Sequence, residues 1–270
     1  MATQGYEHPA SVGASDKRGL EVKRSIQTAI LSLALAVSCP AVAGPFEDFF
    51  QASGARVEDG IRSKSPPQVF TSNDLDADVR RLLEDGYFIV GASSWVGTPE
   101  DAKATAKFAK KIRASRVLVQ YRYIETVSGG TQIVMLPLTF GGMIGNAQPV
   151  SYARYEQTAY FFVKAKPEKI GLGLVLEPLT PIQVRAAGSG KGLSISVVVR
   201  GSPAFDAGMI AGDIVLKIAE QDASTLDRIA QIKADYAGQT VPVEIIRDGQ
   251  PQILEITMPA AAPVQTARGK

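Results

Sequence analysis

The residue types that carry most protein catalysis are almost missing from this sequence of 270 residues. It contains a single histidine, His8, and a single cysteine, Cys39. A Ser-His-Asp triad or a Cys-His pair needs a histidine as general base, and zinc sites need clusters of Cys and His ligands. Because His8 lies in a segment that we expect to be removed from the mature protein, the sequence predicts neither arrangement, and no metal or cofactor.

Paired carboxylates are the remaining route to acid–base chemistry. The acidic residues that stand closest together fall on or beside one predicted helix: Asp74, Asp76, Asp78, Glu84 and Asp85. The opposite face of that helix carries its apolar residues, which is the ordinary pattern of a solvated surface. We therefore expect a protein that is not an enzyme.

The N-terminal region has the pattern of an export signal. Basic residues precede the apolar run Ala29–Val37, which meets the small-residue motif Ala41-Val42-Ala43. This order is typical of a secretory signal peptide, so we expect residues 1–43 to be removed before Gly44 and the mature protein to be periplasmic or secreted. Ala36-Val37-Ser38-Cys39 also resembles a degenerate lipobox, which leaves lipidation at Cys39 and anchoring in the cell envelope as the alternative.

The overall charge is close to balanced, with 29 Lys and Arg against 27 Asp and Glu. The basic residues form no cluster with aromatic residues outside one strand, where simple alternation explains them. We predict no nucleic-acid partner, and contact with a membrane only through the possible lipid anchor. The sequence leaves the oligomeric state open.

Two parts follow the export signal. Residues 44–67 lack a sustained period and are predicted to be a linker, in which the cluster Phe46, Phe49 and Phe50 forms either a lid on the next domain or a membrane- or partner-contacting tip. Residues 68–166 are predicted to form a small α/β sandwich-type domain with two helices and several strands. The sequence from Asp85 to Gly91, with the Ala-rich helix that follows, resembles a small domain of bacterial envelope proteins, which implies a location more than an activity.

Within this domain we expect strands at 87–92, 117–127, 132–138 and 158–164. The glycine-rich segment Gly141–Gly145 lacks the features of a phosphate-binding loop, because it follows no strand-to-helix pattern and has no Lys-Ser/Thr pair. We interpret it as part of a long hairpin tip between Leu138 and Tyr152, with partner contact as the alternative.

The segment Val197–Ile218 organises the C-terminal third of the chain. A β-branched run is followed by Gly201-Ser202-Pro203, in which Ser202 is the predicted N-cap of a helical turn, and Gly212-Asp213 turns into a second apolar strand. The elements Gly-Ser-Pro-Ala, Ala-Gly and Gly-Asp-Ile-Val resemble the core of a bacterial, HtrA-like PDZ domain in its circularly permuted order. The resemblance covers residues 167–259, without a protease domain, and implies a partly open β-barrel with two helices.

The resemblance also implies a ligand. Gly171, Leu172, Gly173 and Leu174 are similar to the Gly-Leu-Gly-Phe type loop that binds a peptide carboxylate through backbone N–H groups of Leu172, Gly173 and Leu174. The peptide would add as a strand beside Leu174–Leu176 and reach a groove that is lined by Val175, Leu176, Leu226, Ile229 and Ala230. One departure is that Ala219 and Glu220 stand where the family usually has a glycine.

An α+β protein in which a PDZ domain precedes a disordered tail at 260–270 is therefore predicted. Its partners would be apolar C-termini or exposed strands of other envelope proteins. Two alternatives remain open: a protease accessory that presents substrates to a separate enzyme, and a scaffold that binds through residues 68–166 while its PDZ groove is closed.

Overall fold

The structure, a computed structural model, describes residues 46–137, 143–188 and 190–260. The predicted signal peptide, Cys39, the glycines at 141 and 142, and the tail beyond 260 lie outside these ranges. In the described parts no helix is long and apolar enough to cross a membrane.

The first layer is a five-stranded mixed sheet with the order β1-β3-β5-β4-β2. Its strands are β1 (Phe50–Ala52), β2 (Gln68–Thr71), β3 (Tyr87–Gly97), β4 (Arg116–Pro137) and β5 (Met143–Lys164). A 3-10 helix (Val57–Asp59) and two α-helices, α1 (Leu75–Glu84) and α2 (Ala102–Lys111), complete this part of the chain. Strand β2 pairs with β4 in parallel, and the other neighbours are antiparallel.

Strands β4 and β5 are longer than the sequence indicated. Glycines and Pro149 suggested interruptions, but the two strands pair continuously from Arg116↔Phe162 to Pro137↔Met143, with register shifts near Ile124 and Gly129. The glycine pair therefore marks a β-bulge instead of a strand end. Strand β3 pairs with β5 only from Tyr155 onward. Within the described residues, the part of β5 before Tyr155 pairs only with β4, so the two strands form a two-stranded ribbon there. Residues 143–152, expected in a hairpin tip, belong to β5.

Part of the segment predicted as a linker packs on the first sheet. Phe46 is fully buried, its ring meets Trp95 edge to face at 6.0 Å, and Phe49 stacks on the same indole at 6.4 Å. The Phe46 backbone is held at both ends, because its N–H donates to the Glu100 carboxylate and its carbonyl accepts from Ser93 Oγ. The aromatic cluster is thus part of the core of this domain, as the lid interpretation predicted.

The second sheet belongs to the C-terminal part and has the order β11-β10-β8-β7-β6, with β9 beside β8. Its strands are β6 (Leu174–Pro178), β7 (Leu193–Val198), β8 (Ile214–Ile218), β9 (Gln221–Asp222), β10 (Thr240–Arg247) and β11 (Gln250–Thr257). Four helices accompany it: α3 (Pro167–Ile170), α4 (Pro181–Ala187), α5 (Pro203–Asp206) and α6 (Leu226–Asp235). The sheet is open, and strand β6 lies at one edge.

Local signals fixed several of these elements as predicted. Ser202 Oγ accepts from the Phe205 N–H at the start of α5, and Thr180 forms a capping box with Gln183 at the start of α4. Asp248-Gly249 turns β10 into β11, with φ of 50° and 77°. Helix α6 is capped by Thr225, whose side-chain oxygen accepts from the Arg228 N–H.

Helix α1 connects the two sheets. It contacts β3 and β4 of the first sheet and β7 of the second, and its Val79 and Leu82 are buried. At its C-terminal end the Arg200 guanidinium binds Glu84 at 2.7 Å and Asp85 at 2.6 Å, and the Arg200 N–H donates to the Glu84 carbonyl at 2.8 Å. All described residues fall within a single compact unit.

Candidate functional site

The loop between α3 and β6 contains the glycines that the sequence singled out. Gly171 and Gly173 both have positive φ, 64° and 76°, which side chains other than glycine rarely adopt. A Cβ on Gly173 would lie 2.1 Å from the Ser202 side chain, so close packing against the start of α5 requires glycine there. A Cβ on Gly171 would not meet a close neighbour of this kind. Apart from the adjacent residues, the nearest atom to that Cβ would be the Lys233 ammonium nitrogen, at 3.7 Å.

The backbone N–H groups that were predicted to bind a ligand's carboxylate differ in whether they already have an acceptor in the protein. The Gly173 N–H donates to the Ile170 carbonyl at 3.1 Å, which closes the turn after α3. The Leu172 carbonyl accepts from the Ala204 N–H at 3.1 Å, whereas its own N–H has no carbonyl acceptor among the described residues. The Leu172 N–H is therefore without a backbone acceptor within the described residues, whereas the Gly173 N–H is already engaged.

Strand β6 presents an edge next to this loop. It pairs with β7 on one side, where Leu174 lies opposite Val198 and the Val199 N–H donates to the Gly173 carbonyl at 2.8 Å. In an antiparallel pair with this register, the N–H and C=O of Leu174 point away from β7. An extended peptide could accept and donate hydrogen bonds at this edge as an additional strand.

The two faces of β6 have different surroundings. Leu174 and Leu176 pack against the core cluster of the C-terminal part. Val175 and Glu177 alternate with them and so face the other way. Burial raises the pKa of the Glu177 carboxyl, while a hydrogen bond with Ser196 and the charge of Arg80 oppose the rise. Arg80 belongs to α1, so a charge of the first domain acts on the Glu177 side of β6.

Helix α6 has two distinct sides. Ile229 and Ile232 belong to the core, with 7% and 0% exposure. Leu226 is 60% exposed, Ala230 is exposed and Lys233 is half-buried; with spacings of four and three residues they form one helical face. Of the predicted groove residues on α6, Leu226 and Ala230 are thus exposed, whereas Ile229 packs in the core.

Two charged side chains near this region were not singled out from the sequence. Lys233 continues the Leu226–Ala230 face, so helical spacing could have found it. Arg247 binds the buried Asp213 carboxylate through two nitrogens, Nε at 2.8 Å and Nη2 at 2.7 Å. That contact joins residues far apart in sequence, and no local signal pointed to it. The hydrogen bond with Asp213 raises the pKa of Arg247.

A hollow with a volume of about 640 Å³ lies at the N-terminal end of α6. Its lining is polar: Glu220, Gln221, Asp222, Ser224, Thr225, Asp227, Arg228 and Gln231. None of these is a predicted groove residue. No group of three or more His, Cys, Asp or Glu side chains in the described parts could hold a metal ion.

Comparison with known proteins identifies the domain family of the C-terminal part of the chain. Residues 170–258 match the family model described as PDZ domain. The C-terminal part of the chain is thus a PDZ domain, in agreement with the sequence motifs, and the 270 residues show no evidence of a protease domain beside it.

Similar solved structures include HtrA-type proteins. The HtrA-type protease AlgW with a decapeptide is 23% identical, covering 49% of this chain and 42% of that one, with a TM-score of 0.30. The HtrA3 PDZ domain bound to a phage-derived ligand (FGRWV) is 19% identical, covering 32% and 81%, with a TM-score of 0.28. The chain spans about two fifths of the length of the AlgW structures that it matches. A comparison with curated proteins finds no match.

Proposed function

We propose that this chain is a non-catalytic, exported protein whose PDZ groove binds the apolar C-terminus or an exposed strand of partner proteins in the cell envelope. The observation that carries the proposal is the edge of β6 beside the exposed face of α6. This edge offers backbone hydrogen bonds, and Leu174, Leu176, Leu226 and Ala230 offer apolar contacts. PDZ domains of HtrA-type proteins have been solved with peptides, which supports a peptide ligand here.

The expected affinity follows from the size of these contacts. Burying one aliphatic side chain contributes roughly 1.5 to 3 kcal/mol, and each hydrogen bond to a carboxylate contributes about as much at best. A ligand that makes one such burial and two or three such bonds binds in the micromolar range. Amidation of the peptide terminus removes the charge and should weaken binding about tenfold.

The test is a titration of the full chain with labelled peptides that end in Val or Leu, each as free acid and as amide. The Ala230→Glu variant places a carboxylate on the groove face of α6 and should abolish binding of the acid peptides. Gln231→Glu is the matched control, because it adds the same charge one residue further on, outside the Leu226–Ala230 face. Equal affinity of acid and amide peptides for the wild-type chain, or unchanged binding by Ala230→Glu, would reject the proposal.

Export and the absence of catalysis are parts of the same proposal. The N-terminal sequence pattern supports processing before Gly44, with lipidation at Cys39 as the alternative, and intact-mass measurement of protein from an envelope fraction separates the two. A product that retains residues 17–35 would contradict both. Casein turnover that survives repurification and disappears on substitution of one Ser or Asp would contradict a non-catalytic role.

A second candidate is a scaffold that binds through the first domain. The observation that favours it is the β4–β5 ribbon, on which Ile133 and Met135 are 67% and 52% exposed opposite the small residues Ala147 and Gly145. The sequence between Glu125 and Arg154 contains no charged residue. If an envelope partner is retained by Ala230→Glu but lost by the double variant Ile133→Ser/Met135→Ser, the ribbon and not the groove is its binding surface.

A further inference from the structure

We infer that Lys233 is the cationic partner of the ligand's C-terminal carboxylate, and that it sets the preference of the groove for a free chain terminus. This inference rests on the proposed function, because it assigns a residue to the same groove. It adds a charged side chain from α6 to a site that the sequence described in terms of backbone donors alone.

The position of Lys233 is the first argument. It lies in the last turn of α6, seven residues after Leu226, so two helical turns place it on the Leu226–Ala230 face. Its Nζ is 3.7 Å from the point where a Gly171 Cβ would stand, and within the described residues no other atom outside residues 170–172 is within 4 Å of that point. The ammonium therefore stands at the glycine loop, where the ligand's terminus would end.

The donor count is the second argument. The Gly173 N–H is engaged by Ile170, which leaves Leu172 and Leu174 as the backbone donors that can reach an anion. A carboxylate has about four acceptor positions. A lysine ammonium brings three further donors and a full positive charge, and charge-assisted hydrogen bonds are roughly twice as strong as neutral ones.

The charge environment is the third argument. Within the described residues Lys233 forms no ion pair, whereas the nearby Lys169 is bound to Asp59 at 3.0 Å. An incoming carboxylate would therefore meet a positive charge that no carboxylate of the described residues pairs with. Lysine in the last turn also interacts favourably with the helix dipole, but that role alone would stabilise α6 without distinguishing acid from amide ligands.

The experiment compares acid and amide forms of one peptide across variants of the full chain. The probes are labelled Phe-Gly-Arg-Trp-Val and a Leu-ended analogue, each with a free or amidated terminus. Lys233→Met keeps the aliphatic stem and removes the charge, and we expect acid peptides to bind about 5- to 10-fold more weakly with amide peptides unchanged. Lys107→Met, an exposed lysine of α2 in the first domain, removes the same net charge elsewhere and should change neither.

Two further variants complete the test. Lys233→Glu should weaken acid peptides more than Lys233→Met does, and Lys233→Arg should retain most of the acid preference. Retained amide binding and an unchanged melting temperature show that the groove is intact in each variant.

The outcomes separate the two levels of the argument. If the wild-type chain prefers acid peptides and Lys233→Met keeps that preference in full, the role of Lys233 is overturned while the groove stands. If the wild-type chain binds acid and amide peptides equally or not at all, the proposed function fails and the inference fails with it. Loss of acid and amide binding together in a folded Lys233→Met protein would make Lys233 a packing residue and would also overturn the inference.

Discussion

Asp213 and Arg247 form an ion pair in the C-terminal part of the chain, at 2.7 Å. The position of Asp213 after Gly212 indicated a turn, but its carboxylate is 1% exposed and binds Arg247 and the Ile210 N–H, the latter at 3.0 Å. Arg247 also donates to the Gly208 carbonyl at 2.8 Å, so the pair ties the loop after α5 to strand β10. Asp213 thus lies in a turn and also forms a structural ion pair with Arg247.

We expect Asp213→Asn to destabilise the protein by about 3 kcal/mol, because it leaves the Arg247 guanidinium without its counter-charge at a largely buried site. Urea unfolding measures the loss. Glu244→Gln, which breaks the more exposed Lys217–Glu244 pair on the same strand, should change stability by less than about 1 kcal/mol. Equal effects of the two variants would show that burial of Asp213 adds nothing.

Tyr160 gives a second test at this scale. Burial, together with the charge of Asp76, raises the pKa of its phenol to about 12 from an ordinary value of 10.0. Above pH 10 the unfolded chain therefore releases this proton while the folded chain keeps it, so the contribution to stability is lost as the pH rises from 10 to 12. The slope from this group is at most about 1.4 kcal/mol per pH unit.

Tyr160→Phe should accordingly flatten the alkaline part of the stability curve relative to wild type. Tyr152→Phe, at a 46% exposed position of the same strand, is the control and should follow the wild-type curve. The measurement is the urea midpoint between pH 9 and pH 12. Parallel curves for wild type and Tyr160→Phe would contradict a raised pKa.

Among the elements, the turn between β8 and β9 carries an unusual backbone. Ala219 and Glu220 have φ of 49° and 62°, in the left-handed region that favours glycine. Side chains other than glycine cost about 1 to 2 kcal/mol in this region. Glu220→Gly should therefore raise stability, because the exposed Glu220 side chain has little packing to lose. The gain is limited to about 1 kcal/mol, because glycine loses more conformational entropy on folding.

Thermal unfolding of Glu220→Gly checks this expectation. Gly201 has a φ of 68° with nothing within 4 Å of its missing Cβ, so Gly201→Ala is a matched reverse change that should lower the melting temperature. A lower melting temperature for Glu220→Gly would show that the left-handed conformation is not strained at that position.

The elements also show where sequence reasoning succeeded. Helix caps at Ser202 and Thr180 and the Asp248-Gly249 turn were predictable because each depends on residues within a few positions. Strands β4 and β5 were cut short because Gly129 and Pro149 resemble strand ends unless the pairing partner is known. Helical period gave α6 an apolar side but could not decide which of its apolar residues are buried, so the burial of Ile229 and the exposure of Leu226 were not predictable.

At the scale of the whole molecule, α1 joins the first domain to the sheet that contains strand β6. It contacts β7, which pairs with β6 in the second sheet. The charge of Arg80 in α1 also opposes the rise in the pKa of Glu177 in β6. A peptide that adds to the free edge of β6 extends the same sheet. The two domains should therefore respond together when the edge of β6 is stabilised.

The Arg200 ion pairs provide the test of this coupling. Arg200→Met removes the contacts with Glu84 and Asp85 but keeps the backbone bond to the Glu84 carbonyl. Because the Arg200 side chain is 53% exposed, we expect a loss of less than about 1 kcal/mol in global stability. Amide hydrogen exchange should nevertheless become faster in residues 75–86 and 193–199, because local opening between α1 and β7 becomes easier.

Arg185→Met, on the exposed helix α4, is the control and should leave exchange in both segments unchanged. Unchanged exchange in Arg200→Met would mean that packing of Val79 and Leu82 holds α1 against the sheets without help from these charges.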